Sequence, residues 1–499
     1  MKRIRPSPLY LVAVSVLLSI RDAAGFVDSS RVARATRLRL SSTSTAESEA
    51  QQEPTSSSGC PFSMAFPRYR IDLSSEKAAK KRFDAVKSGL GIFSGIKQVA
   101  DKSTVERRYS EEAKDGQLFF VDCSVDADTL QRAKGEYDRT KGSTNEKGDV
   151  SDDEWQMGIG GMRAASQFWK IFADMADEGI SPVQPHQRSV ISFIGATPVQ
   201  IQRLIDIASW LEDDMVGDHS HLRIDADDEM PIPTVVIEQR TTRANDVVRL
   251  GERNSDDLPP ADVIEERIKA WVRRILVNLS ICPFTKSDTR SGQGLAEFSI
   301  PTGCISYHYS KTGPSNIPRL MADCWGAILE MVEAGPGGKS GVSSILLSAP
   351  LFDDDFSLWS GPIFSMLEAG VGAAGAEPII GVVCFHPRYA TPDGTSWPGF
   401  GHMHSVPRLR KWMDEQDPEL AEKLTDDQIA AGGAWQRRTP HAVLNVLRAN
   451  QLEAAESRRQ SPQMYSRNIR VLVAGEEDGG IGSDKLLEEL EKERSLSSQ

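Results

Sequence analysis

The chain of 499 residues contains little cysteine, and its six cysteines are not arranged in pairs. They form no Cys-x-x-Cys motif and follow no regular spacing. A zinc ribbon and a disulfide-stabilised scaffold both need cysteines at short, defined intervals, so the pattern argues against these two classes. Reduced thiols are therefore expected.

Positive charge is also scarce. The 71 acidic residues outnumber the 58 basic ones, which gives a formal net charge of −13. The body of the chain has no basic stripe interleaved with aromatic residues, so nucleic acid is not an expected partner. The hydrophobic fraction of 39% is slightly low, and 499 residues exceed one compact core. Two domains with additional tail or linker segments are expected.

Long apolar runs are almost absent, and the one at Leu9–Ile20 is too short to span a bilayer comfortably. It follows three basic residues and precedes Ala23-Ala24-Gly25, so residues 1–25 are predicted to be a signal peptide. Residues 26–58 are rich in Arg, Ser and Thr and predict a disordered, transit-like segment. Together they resemble the bipartite plastid presequence of algae with secondary plastids. The resemblance implies a plastid protein; the alternative is a secreted protein. No other apolar run is long enough to cross a membrane, so the mature protein is expected to be soluble, with no membrane partner.

The first half of the body, residues 60–248, is predicted to be an α/β domain. Strands are expected at residues 117–125, 188–196 and 232–240, and Thr197-Pro198 is a typical N-cap pair for the helix that follows. This half contains no recognisable catalytic constellation. Residues 249–261 have the composition of a linker.

The second half, residues 262–475, is predicted to be another α/β domain with a largely parallel sheet flanked by helices. Apolar residues at helical spacing predict an amphipathic helix that must end at Cys282, because Pro283 disfavours helical geometry in the residue before it. Strands and helices then alternate up to a buried strand at Ile379–Phe385. A last helix is expected to begin at Thr439-Pro440 and a charged tail at residue 476.

A parallel sheet binds its ligands beyond the carboxyl ends of its strands, and His386 lies at such an end. It is a candidate general base, or else a structural histidine with both nitrogens satisfied. Cys282 is a candidate nucleophile or metal ligand, or else a buried structural thiol. Arg438, just before the expected helix start at Thr439, suggests an anion site; an ordinary capped helix is the alternative.

A metal site is not predicted, and the sequence implies no particular cofactor. His402 and His404 are spaced like a pair of ligands, but two histidines without a third ligand are a weak signal. A structural or solvated loop is the preferred interpretation.

Three motifs in this order resemble the family catalogued as domain of unknown function 1415. They are Cys-Pro-Phe at residues 282–284, Phe-His-Pro-x-Tyr at residues 385–389, and Arg-Thr-Pro at residues 438–440 followed by Leu447-Arg448. An acidic patch at residues 353–355 also resembles the family. The match covers about residues 262–460, with two extra residues before Cys282 and His441 in place of an aromatic residue. The resemblance implies that Tyr389 and Arg448 belong to the substrate-binding set, but it supplies no established activity.

The sequence therefore supports two functions. The first is an enzyme that acts on a small anionic metabolite, with Cys282 and His386 as catalytic residues and Arg438, Thr439, Arg448 and Tyr389 as binding residues. The second is a non-catalytic module that binds a small ligand or a partner protein. The oligomeric state stays open.

Overall fold

The computed structural model describes residues 94–135, 150–178, 188–212, 222–239, 257–298, 300–337, 340–394, 404–456 and 461–497. The predicted signal peptide, the transit-like segment and His402 lie outside these ranges. The described residues have the mixed α/β structure that the sequence predicts. They all belong to one unit, Gly59–Gln499.

The first sheet has four strands in the order β1-β2-β4-β3. The β1–β2 pair is parallel, and the β2–β4 and β3–β4 pairs are antiparallel. The strands coincide with the apolar segments predicted from the sequence and with one further segment. Their bounds are Leu118–Asp122 (β1), Arg188–Ile194 (β2), Leu222–Ala226 (β3) and Thr234–Gln239 (β4).

The second sheet has five strands in the order β5-β6-β7-β9-β8. The β6–β7 pair is parallel, while the β5–β6, β7–β9 and β8–β9 pairs are antiparallel. The bounds are Arg290–Ser291 (β5), Gly303–Tyr309 (β6), Val342–Ser348 (β7), Ile380–Phe385 (β8) and Val443–Arg448 (β9).

Helices cover both sheets and join their strands. Helix α5 begins where the sequence predicts, because Thr197 and Gln200 form a reciprocal capping box. Helix α7 ends just before Gly335, whose φ of 76° suits a glycine. The bounds are Ser94–Arg108 (α1), Ser110–Lys114 (α2), Ala127–Lys134 (α3), Asp152–Glu178 (α4), Pro198–Ala208 (α5), Ala261–Trp271 (α6), Ile317–Ala334 (α7), Phe356–Leu358 (α8), Phe364–Ala374 (α9), Val406–Gln416 (α10), Pro418–Lys423 (α11), Asp426–Trp435 (α12), Ala449–Glu456 (α13), Ser461–Val473 (α14) and Ser483–Arg494 (α15).

Two predictions about the second sheet are wrong, and they have the same cause. The segment after Thr439-Pro440 is the strand β9 instead of a helix. This strand inserts between β7 and β8 and runs antiparallel to both, so the sheet is not largely parallel. Val443 and Val446 are β-branched and suit a strand with neighbours on both sides. A short apolar run of this kind does not distinguish strand from helix by periodicity.

The two sheets share one hydrophobic core, so the two-domain prediction is not confirmed. Buried side chains from Val121 in the first half to Val446 in the second form one continuous cluster. Helix α4 packs closely against the second half because Gly161 lies on its contact face. A Cβ atom there would overlap the carbonyl oxygen of Ala374 at the end of α9. Gln200 strengthens the same junction by donating hydrogen bonds to the carbonyl oxygens of Met157 at 3.1 Å and Ala374 at 2.9 Å.

Within the described residues, no helix combines the length and the apolar character that crossing a bilayer requires.

Candidate functional site

One edge of the five-stranded sheet gathers the segments that carry the sequence motifs. Register pairs Tyr309 with Ser348, Ser348 with Val443, and Val443 with Phe385. The last residues of β6, β7 and β8 therefore lie beside the first residue of β9. We call this the Val443 edge. His386 directly follows β8 at this edge, although most of the strand pairs are antiparallel.

His386 is fully buried at this edge, and both of its ring nitrogens are occupied. The backbone N–H of Arg388 donates to Nδ1 at 3.0 Å, so Nδ1 carries no proton. Nε2 therefore carries the proton and donates to the carbonyl oxygen of Phe352 at 3.0 Å. Burial lowers the pKa of His386 and favours this neutral form. The geometry matches the structural alternative more closely than the general base.

Arg438 and Tyr389 lie next to His386. The backbone N–H of His386 donates to the carbonyl oxygen of Arg437 at 3.1 Å, and Arg438 Nε donates to the carbonyl oxygen of Tyr389 at 3.1 Å. The guanidinium of Arg438 also lies 4.7 Å from the ring centroid of Trp435. Among the described residues, neither terminal nitrogen of Arg438 has a hydrogen-bond partner. The side chain is thus held in place with the N–H groups of two nitrogens left over.

The helix N-terminus that was expected to assist Arg438 does not exist. Arg438 follows the C-terminal end of α12, and β9 begins five residues later. Thr439 is fully buried and its hydroxyl donates to the carbonyl oxygen of His441. Tyr389 is buried as well, and burial raises the pKa of its phenol well above the ordinary range. The Thr439 hydroxyl therefore stabilises the turn before β9, while the centroid of the Tyr389 ring lies 5.3 Å from that of Phe356.

Arg448 lies at the far end of β9, away from the Val443 edge, because β9 runs from Val443 to Arg448. It is 3% exposed, and its nitrogens donate to the carbonyl oxygens of Val342 at 2.9 Å and Met331 at 2.7 Å. Burial lowers its pKa to about 10. Arg448 therefore connects β9 to β7 and to the end of α7.

Cys282 is half-buried, and its Sγ accepts a hydrogen bond from Thr285 Oγ1 at 3.5 Å. The two extra residues before it are absorbed at Ser280, whose φ of 53° turns the chain away from the helix axis. Among the described residues, no hydrogen bond, ring contact or ion pair joins Cys282 to His386 or Arg438. Asn468 connects the two regions indirectly, donating to the carbonyl oxygen of Ile281 at 3.0 Å and to Gln436 Oε1 at 2.9 Å.

The Val443 edge also contains a buried polar chain that the sequence analysis did not select. His441 Nδ1 lies 2.8 Å from Asp353 Oδ2, and the backbone N–H of Ala442 donates to Asp353 Oδ1 at 2.7 Å. His441 Nε2 lies 3.3 Å from Arg267 Nη1. A guanidinium can only donate, so Nε2 is the acceptor and Nδ1 carries the proton towards Asp353. Asp353 and His441 are 1% and 4% exposed.

Two signals pointed to this pair. Asp353 belongs to the acidic patch that resembles the family, and His441 is one of the positions where the chain departs from the family pattern. Neither signal shows that the residues meet, because 88 positions separate them in the sequence.

The described residues contain no group of three or more His, Cys, Asp or Glu side chains that could hold a metal ion. His404 packs between two aromatic rings, with its centroid 4.6 Å from those of both Trp412 and Tyr465. This environment fits the structural interpretation of His404.

No protein-family model, curated protein or solved structure matches this chain significantly. The resemblance to domain of unknown function 1415 therefore stays a prediction.

Proposed function

We propose that the chain is an enzyme that binds a small anionic metabolite at the Val443 edge and transfers a proton through the Asp353–His441 pair. The observation that carries this proposal is the 2.8 Å hydrogen bond between His441 Nδ1 and Asp353 Oδ2, formed between two buried side chains. A carboxylate in this position fixes the tautomer of the imidazole and stabilises its charged form. Nε2 is then the atom that accepts the proton.

Two arginines support an anionic ligand. Arg438 is anchored through Nε and by its contact with Trp435, and its terminal nitrogens face no protein acceptor among the described residues. Arg267 places Nη1 beside the nitrogen that would accept the proton. Charge-assisted hydrogen bonds from guanidinium groups are the usual means of holding a carboxylate or phosphate. A ligand bound by Arg267 would lie close to His441 Nε2.

The role first assigned to His386 changes in this proposal. His386 supports the turn that carries Tyr389, since both of its nitrogens hydrogen-bond to the backbone. His441 takes the role of general base in its place. Cys282 stays a candidate nucleophile or metal ligand, to be tested by its reactivity.

A non-catalytic binding module is the second candidate. The observation that favours it is that His441 Nε2 already accepts a hydrogen bond from Arg267, so neither histidine at the edge has a nitrogen without a partner. Such a module would need Arg438 but no proton transfer.

A ligand-stabilisation screen of the full chain against anionic metabolites tests both candidates. Arg438→Ala should weaken binding of any hit by about 1.5–3 kcal/mol, the scale of a hydrogen bond to a charged group. Arg388→Ala is the matched control, because Arg388 lies at the same edge in an exposed ion pair with Asp354. If every hit binds Arg438→Ala as tightly as the unaltered chain, the anion site is refuted.

Turnover of the hit then separates the candidates. An enzyme should lose turnover in His441→Gln while ligand affinity changes little. Arg438-dependent binding without any turnover in the unaltered chain would select the binding module.

We further propose that residues 1–58 direct the protein to a plastid. This proposal rests on the composition of the segment and on the Ala-Gly-Phe junction at residues 24–26. A fluorescent reporter fused to residues 1–58 should enter the plastid of a diatom cell, and Phe26→Ala should divert it. Secretion of the unaltered fusion would show that the segment is an ordinary secretory leader.

A further inference from the structure

The guanidinium of Arg267 holds a backbone carbonyl from the end of the chain. Nε and Nη2 of Arg267 donate to the carbonyl oxygen of Leu496 at 3.0 and 2.8 Å. Here two adjacent guanidinium nitrogens converge on one neutral oxygen, and the same two nitrogens could bind a carboxylate or phosphate through two parallel hydrogen bonds. We call Ser495 and Leu496, which directly follow α15, the C-terminal strap.

The strap is held over Arg267 by the helix before it. Arg274 donates from Nε and Nη2 to the two carboxylate oxygens of Glu493 at 2.7 and 2.8 Å. The side chains of Arg274 and Glu493 are only 17% and 7% exposed, so water weakens this ion pair little. Leu486 and Leu490 of α15 are buried in the same core as Trp271 of α6. Helix α15 therefore brings the Leu496 carbonyl to a defined position.

The same guanidinium closes off His441. While Nε and Nη2 hold Leu496, Nη1 donates to His441 Nε2 at 3.3 Å. The lone pair that the proposed reaction needs is therefore occupied as long as Arg267 stays in this position. An arginine that moved towards a ligand would release both the strap and the imidazole nitrogen.

We infer that the C-terminal strap is an intramolecular ligand of the site and that Arg267 exchanges the Leu496 carbonyl for an oxygen pair of an anionic substrate. This inference rests on the proposed function. An ionised carboxylate or phosphate group displaces the carbonyl because its negative charge adds Coulomb attraction to the same guanidinium donors, which a neutral carbonyl oxygen lacks. The strap makes access to His441 depend on an anion that competes for Arg267.

The experiment compares three forms of the protein: the full chain, a chain that ends at Arg494 and lacks the strap, and a chain that ends at Ser497 and retains it. Diethyl pyrocarbonate reacts with the unprotonated nitrogen of neutral imidazole, and peptide mass spectrometry measures its addition to His441. Inorganic phosphate and acetate, in separate titrations, are the probe anions.

We expect His441 to be modified about tenfold faster in the chain that ends at Arg494 than in the other two forms. A tenfold change corresponds to about 1.4 kcal/mol, the scale of the net contribution of one hydrogen bond. Phosphate or acetate should bind the strapless chain about tenfold more tightly, and Arg267→Ala should remove this gain. Whichever of the two anions shows the larger gain identifies the substrate group as phosphate or carboxylate.

Equal modification rates and equal anion affinities in all three forms would refute the strap, and the proposed function would survive if those affinities still depended on Arg438. Anion binding that is absent from all three forms, together with His441 that reacts only after unfolding, would refute the proposed function as well. Faster modification in the chain that ends at Ser497 would show that shortening alone disturbs the fold, and it would overturn the inference.

Discussion

The Asp353→Asn substitution tests whether the buried side chains of Asp353 and His441 at the Val443 edge are energetically coupled. Asp353 accepts two hydrogen bonds, from His441 Nδ1 at 2.8 Å and from the backbone N–H of Ala442 at 2.7 Å. An asparagine amide has one oxygen and one NH₂ group, so it can satisfy only one of these donors. If the NH₂ group faces His441, the imidazole must move its proton to Nε2, where it meets the N–H of Arg267.

The expected loss of folding stability follows from the number of hydrogen bonds that Asp353→Asn removes. One hydrogen bond to a charged acceptor disappears, which costs about 1.5–3 kcal/mol, and a buried donor is left without a partner. Relief of the desolvation of a buried carboxylate offsets part of this loss. We expect the free energy of unfolding to fall by about 2–3 kcal/mol, measured by urea denaturation with tryptophan fluorescence.

Asp354→Asn is the matched control, because the neighbouring carboxylate forms an exposed ion pair with Arg388 at 2.8 Å. Exposed pairs contribute about 0–1 kcal/mol. A double-mutant cycle of Asp353→Asn with His441→Gln should give a coupling energy above about 1 kcal/mol. If Asp353→Asn and Asp354→Asn destabilise equally, or if the cycle is additive, Asp353 and His441 are not coupled and the proposed pair fails.

Three further predictions concern the core, the pH dependence and the thiols. Gly161→Ala should lower the free energy of unfolding by about 1–3 kcal/mol in urea denaturation, because its Cβ would overlap a backbone oxygen. Gly326→Ala is the control and should be neutral or stabilising, because a Cβ there would have no atom within 4 Å. Equal effects of the two substitutions would contradict the close packing of α4. Burial lowers the pKa of His386 below 6.5, so the unfolded state binds a proton that the folded state excludes. As the pH drops below about 6.5, the free energy of unfolding should therefore decrease, by at most about 1.4 kcal/mol per pH unit. Urea denaturation from pH 7.5 to 5.5 should show a smaller decrease in His386→Gln than in the unaltered chain. An equal decrease in both proteins would show that His386 titrates alike in the folded and unfolded states. Iodoacetamide should modify the half-buried Cys282 and Cys304 in the folded chain, and Cys282 should react faster than Cys304 if it is a nucleophile. It should modify the buried thiols of Cys123, Cys324 and Cys384 only after unfolding, because burial shields them and raises their pKa values.

Local features of the fold were predictable because their causes are local. The capping box at Thr197 and the glycine after α7 act within one helical turn, and the strand at Ile380–Phe385 is apolar enough to identify alone. The π-helical turn at Trp359–Ile363 contains Pro362, which lacks the backbone N–H that a regular helix needs. Such signals place an element in the chain without placing it in space.

The pairing of strands and the polar chain at the Val443 edge depend on distant residues. Nothing in the sequence near Val443 shows that β9 has neighbours on both sides, which is why it resembles the start of a helix. Likewise, Asp353 and His441 become recognisable as a pair only after β9 has brought them together. Arg448 differs from this pair: the sequence motif selected it as a binding residue, but its guanidinium donates to backbone carbonyl groups inside the fold.

Strand β9, which lies between β7 and β8 in the second sheet, is synthesised after both of these neighbours. Until residues 443–448 leave the ribosome, β7 and β8 each keep one row of backbone N–H and C=O groups without a partner, because β9 supplies both ladders. Open strand edges are where a nascent chain pairs with other chains. The sheet then closes through contacts between segments far apart in sequence, which is a slow kind of step. Assembly of this protein therefore depends on late strand insertion, and the candidate site forms in the same event because His441 directly precedes that strand.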